Sequence, residues 1–235
     1  MESNSLSPVF KVVEIFDSIE GEGKRSGMPA SFIRLAGCNL RCTYCDTAYA
    51  LWGEKEPCVF SEMSLEQIIA KTNAAFKRVT LTGGEPLLHP YCVLLINRMT
   101  ELGFEVNIET NGAVDMVDIL NSLENKDSVF FTIDYKLPSS GMESKMLWHN
   151  FESLRSEDVI KFVVGSKEDA QKMLVVLEKL RYYYATLPHI FTGIVYGAYD
   201  PKSLVAILLN NEVLKDAHYQ IQLHKTIWSP DERGV

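Results

Sequence analysis

The chain has 235 residues, 46% of them apolar and 23% charged, which allows a sizeable core and excludes disorder and collagen-like repeats. Its 23 Lys and Arg stand against 31 Asp and Glu, a net charge of −8, so a nucleic-acid backbone is not expected as a partner. Apolar runs are too short for a bilayer, and the first five residues show no secretory signal, so a cytoplasmic protein with no membrane partner and one domain, 1–235, is expected.

In chain order, residues 30–36 are β-rich and apolar and predict a strand. A helix is predicted over 64–76, where Leu65, Ile68, Ile69, Thr72, Ala75 and Phe76 fall at helical spacing and Ser64 with Gln67 forms a capping box. Residues 78–82 predict a strand, and Pro90 opens a helix from its first position to about residue 102. A strand at 104–109, a helix at 114–123, strands at 129–134 and 159–164, a helix at 169–184 and a strand at 190–195 follow. Asp200 and Pro201 open a helix to about residue 209, and 219–223 is the last strand. Strands of this length alternating with helices predict an α/β fold with parallel strands and right-handed crossovers. The chain is short for eight such units, so a partial (β/α) barrel of about six parallel strands is expected. Polar clusters at 37–49, 82–86, 109–112 and 134–136 each follow a strand, so four strand ends should rim one cavity.

Of five cysteines, Cys38, Cys42 and Cys45 fall within eight residues, while Cys58 and Cys92 stand alone as small apolar side chains. The odd count argues against a disulfide framework. The C-x3-C-x2-C spacing lets three thiolates meet one metal centre with a position left open, as an iron–sulfur cluster that binds substrate requires. A structural zinc wants a fourth ligand, and the nearest His in sequence, His89, is remote. A disulfide oxidoreductase wants a C-x-x-C pair without a third thiol.

With Tyr44 before its last cysteine, this thiol loop resembles that of the radical S-adenosylmethionine superfamily, and Thr82-Gly83-Gly84-Glu85-Pro86 looks like the motif that receives the methionine amino group. Adjacent glycines also let a backbone approach a ligand closely. Ile19-Glu20-Gly21-Glu22-Gly23, Phe32-Ile33-Arg34-Leu35, Cys45-Asp46-Thr47, Glu109-Thr110-Asn111-Gly112, His224-Lys225-Thr226 and the tail 228–235 resemble the 7-carboxy-7-deazaguanine synthase family. The resemblance runs from about residue 14 onward and thins between 142 and 188. Two positions depart from it: Glu20 stands where many members carry Gln, and Asp134-Tyr135-Lys136 where Ser-Pro-Lys is common.

The resemblance implies a 4Fe–4S cluster on Cys38, Cys42 and Cys45 that cleaves S-adenosylmethionine to a 5′-deoxyadenosyl radical. The radical takes hydrogen from 6-carboxy-5,6,7,8-tetrahydropterin. Ring contraction with loss of ammonia then gives 7-carboxy-7-deazaguanine for queuosine and other 7-deazapurines. It assigns Tyr44, Asp46, Gly83, Gly84, Glu85, Glu109, Asn111, Asp134 and Lys136 to S-adenosylmethionine, and Ile19, Glu20, Gly21, Arg34, Thr82, His224 and Val235 to the pterin. Thr47 is implied as a ligand of Mg²⁺, an electron donor such as a flavodoxin as a partner, and a homodimer as the assembly. The chemistry suits these roles. A guanidinium such as Arg34 holds a carboxylate bidentately, a hydroxyl such as Thr47 is a hard oxygen donor, and Glu109 and Asn111 can bond ribose hydroxyls. Simpler readings are a strand-end salt bridge for Arg34, a loop cap for Thr47 and a structural His224. Competing whole-protein readings are a glycyl-radical activase and a non-catalytic zinc module.

Overall fold

The computed structural model describes residues 7–51, 58–230 and 232–235; residues 1–6, where no secretory signal is expected, lie outside these. The strands are β1 (Val9–Ile19), β2 (Pro29–Leu35), β3 (Ser61–Ser64), β4 (Arg78–Gly83), β5 (Glu105–Thr110), β6 (Val129–Tyr135), β7 (Val159–Val164), β8 (His189–Ile194) and β9 (His218–Tyr219). The helices are α1 (Leu65–Lys71), α2 (Cys92–Glu101), α3 (Met116–Asn121), α4 (Trp148–Glu152), α5 (Lys167–Leu180), α6 (Pro201–Asn210) and α7 (His224–Ile227). All nine described strands form one sheet in the order β3-β1-β2-β4-β5-β6-β7-β8-β9. From β2 to β9 every pairing is parallel, and β1 and β3 add an antiparallel edge. The sheet is the expected open barrel, with β3 and β9 as its two edges.

The strands alternate between two environments, as a period of two requires. Val79, Leu81, Val106, Ile108, Phe131, Ile133, Ile160 and Phe162 enter one apolar cluster with the helices. The residues between them, Thr80, Thr82, Glu109, Thr132, Asp134 and Lys161, line a cavity on the opposite, concave face. Phe131 and Phe162 are fully buried, each contributing roughly 1.5–3 kcal/mol of burial free energy. Every residue of β6 is buried, as befits an interior strand covered on both faces.

Several boundaries differ from expectation for local reasons. The Ser64–Gln67 capping box is present, but α1 stops at Lys71 rather than 76. The Thr72 hydroxyl turns back onto the Ile68 carbonyl, and the Asn73 amide donates to the Ser31 hydroxyl on β2, which pulls the chain off the helix axis. Pro90 lies two residues before α2, whose first residue is Cys92. Asp115 caps α3, and Ser166 caps α5 two residues earlier than periodicity suggests. Asp200 and Pro201 start α6 as expected. The final strand shrinks to His218–Tyr219, because the Leu223 amide bonds the Gly21 carbonyl and the chain turns into α7. The sequence reading did not anticipate β1, β3 or α4. Among the described residues no helix is long and apolar enough to cross a membrane.

Candidate functional site

The concave face opens into a cavity of about 450 Å³. Of the residues that the motifs single out, all but Glu85 line it: Ile19, Glu20, Gly21, Arg34, Cys38, Cys42, Tyr44, Cys45, Asp46, Thr47, Thr82, Gly83, Gly84, Glu109, Asn111, Asp134, Lys136, His224 and Val235. Cys58 and Cys92 are not among the lining residues, and Cys92 is buried in the apolar cluster.

The thiol loop follows β2 and is pinned from several strand ends. The Glu85 amide donates to the Gly37 carbonyl at 2.8 Å. A side chain at Gly84 would place Cβ 2.3 Å from that carbonyl oxygen and 2.8 Å from the Cys38 Cβ, so only glycine permits the approach. The Thr43 hydroxyl donates to the Ser139 carbonyl at 2.6 Å, and its amide to Ser140 at 3.1 Å. Residues 139–140 are in turn fixed by buried Asp169 in the first turn of α5, which accepts from the Ser139 amide and hydroxyl and from the Gly165 amide.

The loop fits a cubane cluster. Burial pushes the Cys38, Cys42 and Cys45 thiols up, and Cys42 and Cys45 each repel Cys38 once ionised, so the ligand set becomes anionic when a cationic centre compensates it. Cys38 Sγ already accepts from the Leu40 amide at 3.4 Å and Asn111 Nδ2 at 3.5 Å, the type of contact that tunes cluster potential. Among the described residues no three His, Cys, Asp or Glu side chains converge on a single-ion site. Tyr44 Oη and Asp134 Oδ1 are buried without a hydrogen-bond partner and line the same cavity, leaving polar capacity for a bound group.

Two carboxylates differ from their expected roles. Glu85 lies behind the cavity wall and accepts from the Asn111 amide at 2.7 Å, the Thr110 hydroxyl at 2.9 Å and the Leu87 amide at 3.1 Å. Burial pushes its carboxyl up to about 7 against these donors. It ties the end of β4 to the end of β5 and is placed to act through the backbone. Glu85→Gln puts an amide N–H against one of those donors. It is expected to cost roughly 1–3 kcal/mol and to lower Tm by about 5 °C in calorimetry of the metal-free chain; an unchanged Tm would remove this role.

Glu20 is the second. Its buried carboxylate takes Arg25 Nη2 at 2.6 Å and accepts from the Thr80 hydroxyl. Arg25 also donates to the Val79 and Glu105 carbonyls, so this pair plugs the lower end of the barrel. Both bonds fall on Glu20 Oε1, so the side chain is anchored through one oxygen, and Ile19-Glu20-Gly21 can also offer a ligand its backbone.

Arg34, at the end of β2, donates from Nε to Glu14 at 2.7 Å, and the Tyr49 hydroxyl donates to the same oxygen at 2.7 Å. The salt bridge and the cavity position coexist. His224 starts α7 rather than ending a strand, and it packs where a Cβ on Gly21 would lie 2.7 Å from its Nδ1. Burial pushes its imidazole pKa down, against the pull of Glu22. Asp46 pairs with Lys225 at 3.1 Å; burial raises its carboxyl, but Lys225 outweighs this and holds it at about 2. Thr47 Oγ1 bonds Asp46 Oδ1 at 3.0 Å. Lys136 pairs with Asp134 at 2.8 Å.

Lys161, Glu22, Lys225 and Arg233 also line the cavity; the last three lie in the quoted motifs without an expected role, and Lys161 lies outside them. For Lys161 a signal existed: it is the one charge in the apolar run Val159-Ile160-Lys161-Phe162-Val163-Val164.

A thiol loop, a glycine pair and a polar concave sheet around one cavity define a radical S-adenosylmethionine protein, and the Radical SAM superfamily pattern matches residues 32–197. The chain is 43% identical to the 7-carboxy-7-deazaguanine synthase of Clostridium acetobutylicum over 96% of its length and 99% of the relative. It is 36% identical to that of Leptospira interrogans over 95% and 97%. It belongs to the 7-carboxy-7-deazaguanine synthase family. Among solved structures, QueE from Escherichia coli shares the fold at a TM-score of 0.68 and 23% identity, covering 91% of this chain and 94% of that one. Streptococcus suis SuiB bound to S-adenosylmethionine matches with a TM-score of 0.54 at 13% identity, covering 83% and 52%.

Proposed function

We propose that the chain converts 6-carboxy-5,6,7,8-tetrahydropterin to 7-carboxy-7-deazaguanine with release of ammonia, as a step of 7-deazapurine and queuosine biosynthesis. The observation that carries this reading is the convergence of the thiol loop, Arg34, His224 and Val235 on one cavity in a member of that family. When bound, a 4Fe–4S cluster and S-adenosylmethionine supply the one-electron cleavage that starts the reaction. Cys38, Cys42 and Cys45 hold the cluster. Gly83, Gly84, Asn111, Tyr44 and Lys136 cradle S-adenosylmethionine, and Asp46 fixes the loop beside it. Arg34 clamps the substrate carboxylate, and the backbone of Ile19-Glu20-Gly21 with Thr82, His224 and Val235 shapes the pterin pocket. The polar cavity brings both partners together in one place and orients them for reaction.

The reading includes a single domain, a cytoplasmic location, a homodimer and a low-potential donor such as a flavodoxin. Its test is anaerobic reconstitution with iron and sulfide, then incubation with the carboxy-tetrahydropterin, S-adenosylmethionine and reductant. Appearance of 7-carboxy-7-deazaguanine supports it. Cleavage of S-adenosylmethionine without product would overturn it in favour of another radical reaction.

Thr47 is the proposed protein ligand of Mg²⁺. The ion would neutralise the substrate carboxylate and template the ring, keeping most of its own waters. Thr47→Ala is expected to slow product formation about tenfold while uncoupled cleavage of S-adenosylmethionine continues, as loss of a positioning contact does. Thr47→Ser should retain most of the activity because the oxygen survives. Equal behaviour of the two variants, with no response to added Mg²⁺, removes the assignment.

A further inference from the structure

Lys161 sits in the middle of β7, buried, with its side chain on the concave face. Its ammonium lies 3.0 Å from Glu22 Oε2, 3.8 Å from Glu109 Oε2 and 3.8 Å from Asp134 Oδ2. These three carboxylates come from separate parts of the chain: the turn after β1, β5 and β6. Burial alone would push the ammonium pKa down, but Glu22, Glu109 and Asp134 more than reverse it, so Lys161 is charged.

The geometry divides the three acids into one that is bonded and two that are held. Glu22 is fixed at both oxygens, by Lys161 and by Gln220 Nε2 at 3.2 Å. At 3.8 Å, Glu109 and Asp134 are beyond hydrogen-bond reach of the ammonium, so the attraction holds them near it without using their lone pairs. Glu109 is 27% exposed to the cavity, and Asp134 Oδ1 is buried without a partner. These are acceptors on the cavity wall with one cation behind them; Asp134 Oδ2 already accepts from Lys136 at 2.8 Å, and its Oδ1 is free.

An array of this kind suits a ligand that brings several N–H donors on one edge. The substrate proposed above has such an edge, since its 2-amino-4-oxopyrimidine ring presents an amino group next to a ring N–H, the donor pair a carboxylate accepts in parallel. Glu20 can add at most its second oxygen, since Arg25 and Thr80 both take Oε1. We propose that Lys161 is a positioning residue: it gathers Glu22, Glu109 and Asp134 into one acceptor array that receives the N–H edge of the pterin. The proposal rests on the functional reading above. It concerns how the acids are held, since Lys161 is placed behind them and acts through them.

The test compares Lys161→Met with Lys161→Arg. The probe is 6-carboxypterin, the oxidised fluorescent form of the substrate, titrated into each folded protein, with iron content and melting temperature measured on the same samples. Without the cation the three acids repel one another and part. Affinity for the probe is expected to fall at least about tenfold in Lys161→Met, in the range seen when one member of a buried charge set is truncated. In the reconstituted enzyme, S-adenosylmethionine cleaved per product formed should rise several-fold, while iron content is unchanged. Lys161→Arg keeps the charge and should recover most of both. A residue that only balances core charge would lower the melting temperature and leave affinity and the cleavage ratio alone, which would overturn the proposal. If Lys161→Met does not fold, the double variant Lys161→Met with Glu22→Gln removes one charge of each sign. Wild-type affinity in that variant overturns the proposal, and a loss larger than that of Glu22→Gln alone supports it. Failure of the wild-type protein to bind 6-carboxypterin or to turn over the pterin overturns both readings, whereas wild-type binding with indifferent variants overturns only the role of Lys161.

Discussion

Replacing any one of Cys38, Cys42 or Cys45 by Ala is expected to reduce stoichiometric iron binding and S-adenosylmethionine cleavage to background. Each thiol serves a different iron, so losing one leaves a metal without its anionic ligand, and neighbouring donors do not substitute. Asn111 donates to the Cys38 sulfur and Lys136 is a cation near Cys42, so neither offers a replacement anion, and the nearby Asp134 and Asp46 carboxylates are paired with Lys136 and Lys225. The loop should keep its shape, because its anchors are backbone and Thr43 contacts rather than the thiols. The variants should therefore be folded, colourless and inactive. Cys58→Ala and Cys92→Ala should bind iron normally, since neither residue lines the cavity. Iron analysis with melting curves on all five variants checks this. A folded Cys42→Ala protein that retains full iron, beside a Cys58→Ala protein that loses it, would reverse the assignment.

Arg34→Ala should raise KM for the pterin about 100-fold while leaving iron content and uncoupled cleavage intact, since an unpaired buried carboxylate on the substrate costs several kcal/mol. Arg34 is partly shielded, and its guanidinium faces the cavity between the rings of Phe16 and Tyr49. Glu14 holds it through Nε, and that grip orients the terminal nitrogens as a fork for a second carboxylate. Removing Arg34 also strips a partner from Glu14, although the Tyr49 hydroxyl still donates to it, so some loss of stability should accompany the kinetic effect. Arg34→Lys separates the two, because it keeps the charge and loses the fork, and it should recover only part of the affinity. An unchanged KM in Arg34→Ala would take Arg34 out of the substrate site.

Much of the site was legible in sequence because its chemistry is written in short contiguous motifs. The thiol loop follows β2, and the glycine pair and the segment 109–112 straddle the ends of β4 and β5; strand ends in a parallel barrel have only one rim to join. What escaped depends on contacts between distant segments. Glu85 reads as a ligand from its motif, and only the fold shows its oxygens taken by Thr110 and Asn111. Glu20 reads as a pterin contact from its motif, and only the fold shows Arg25, which also reaches β4 and β5, taking one of its oxygens. Fold boundaries follow the same division. Local signals placed Ser64 and Asp200 correctly as caps, whereas α1 ends early because Ser31, on another strand, takes the Asn73 amide. β1 is an antiparallel addition outside the alternation of strand and helix, although Phe10 and Val12 alternate with Lys11 in it, and the lone charge in β7 takes its meaning from the period of two that turns Lys161 to the cavity.

That period has a genetic consequence. In β4 to β7, neighbouring residues along one strand serve different demands: Leu81 packs the core while Thr82 meets the cavity, and the same holds for Ile108 and Glu109, Ile133 and Asp134, Ile160 and Lys161. In a saturation scan scored separately for protein abundance and for turnover, each strand should give two combs of sensitive codons, offset by one. Selection for a new substrate can then rewrite one comb while the other keeps the chain folded. A single-codon deletion within any of these strands swaps the combs and should fail on both scores at once.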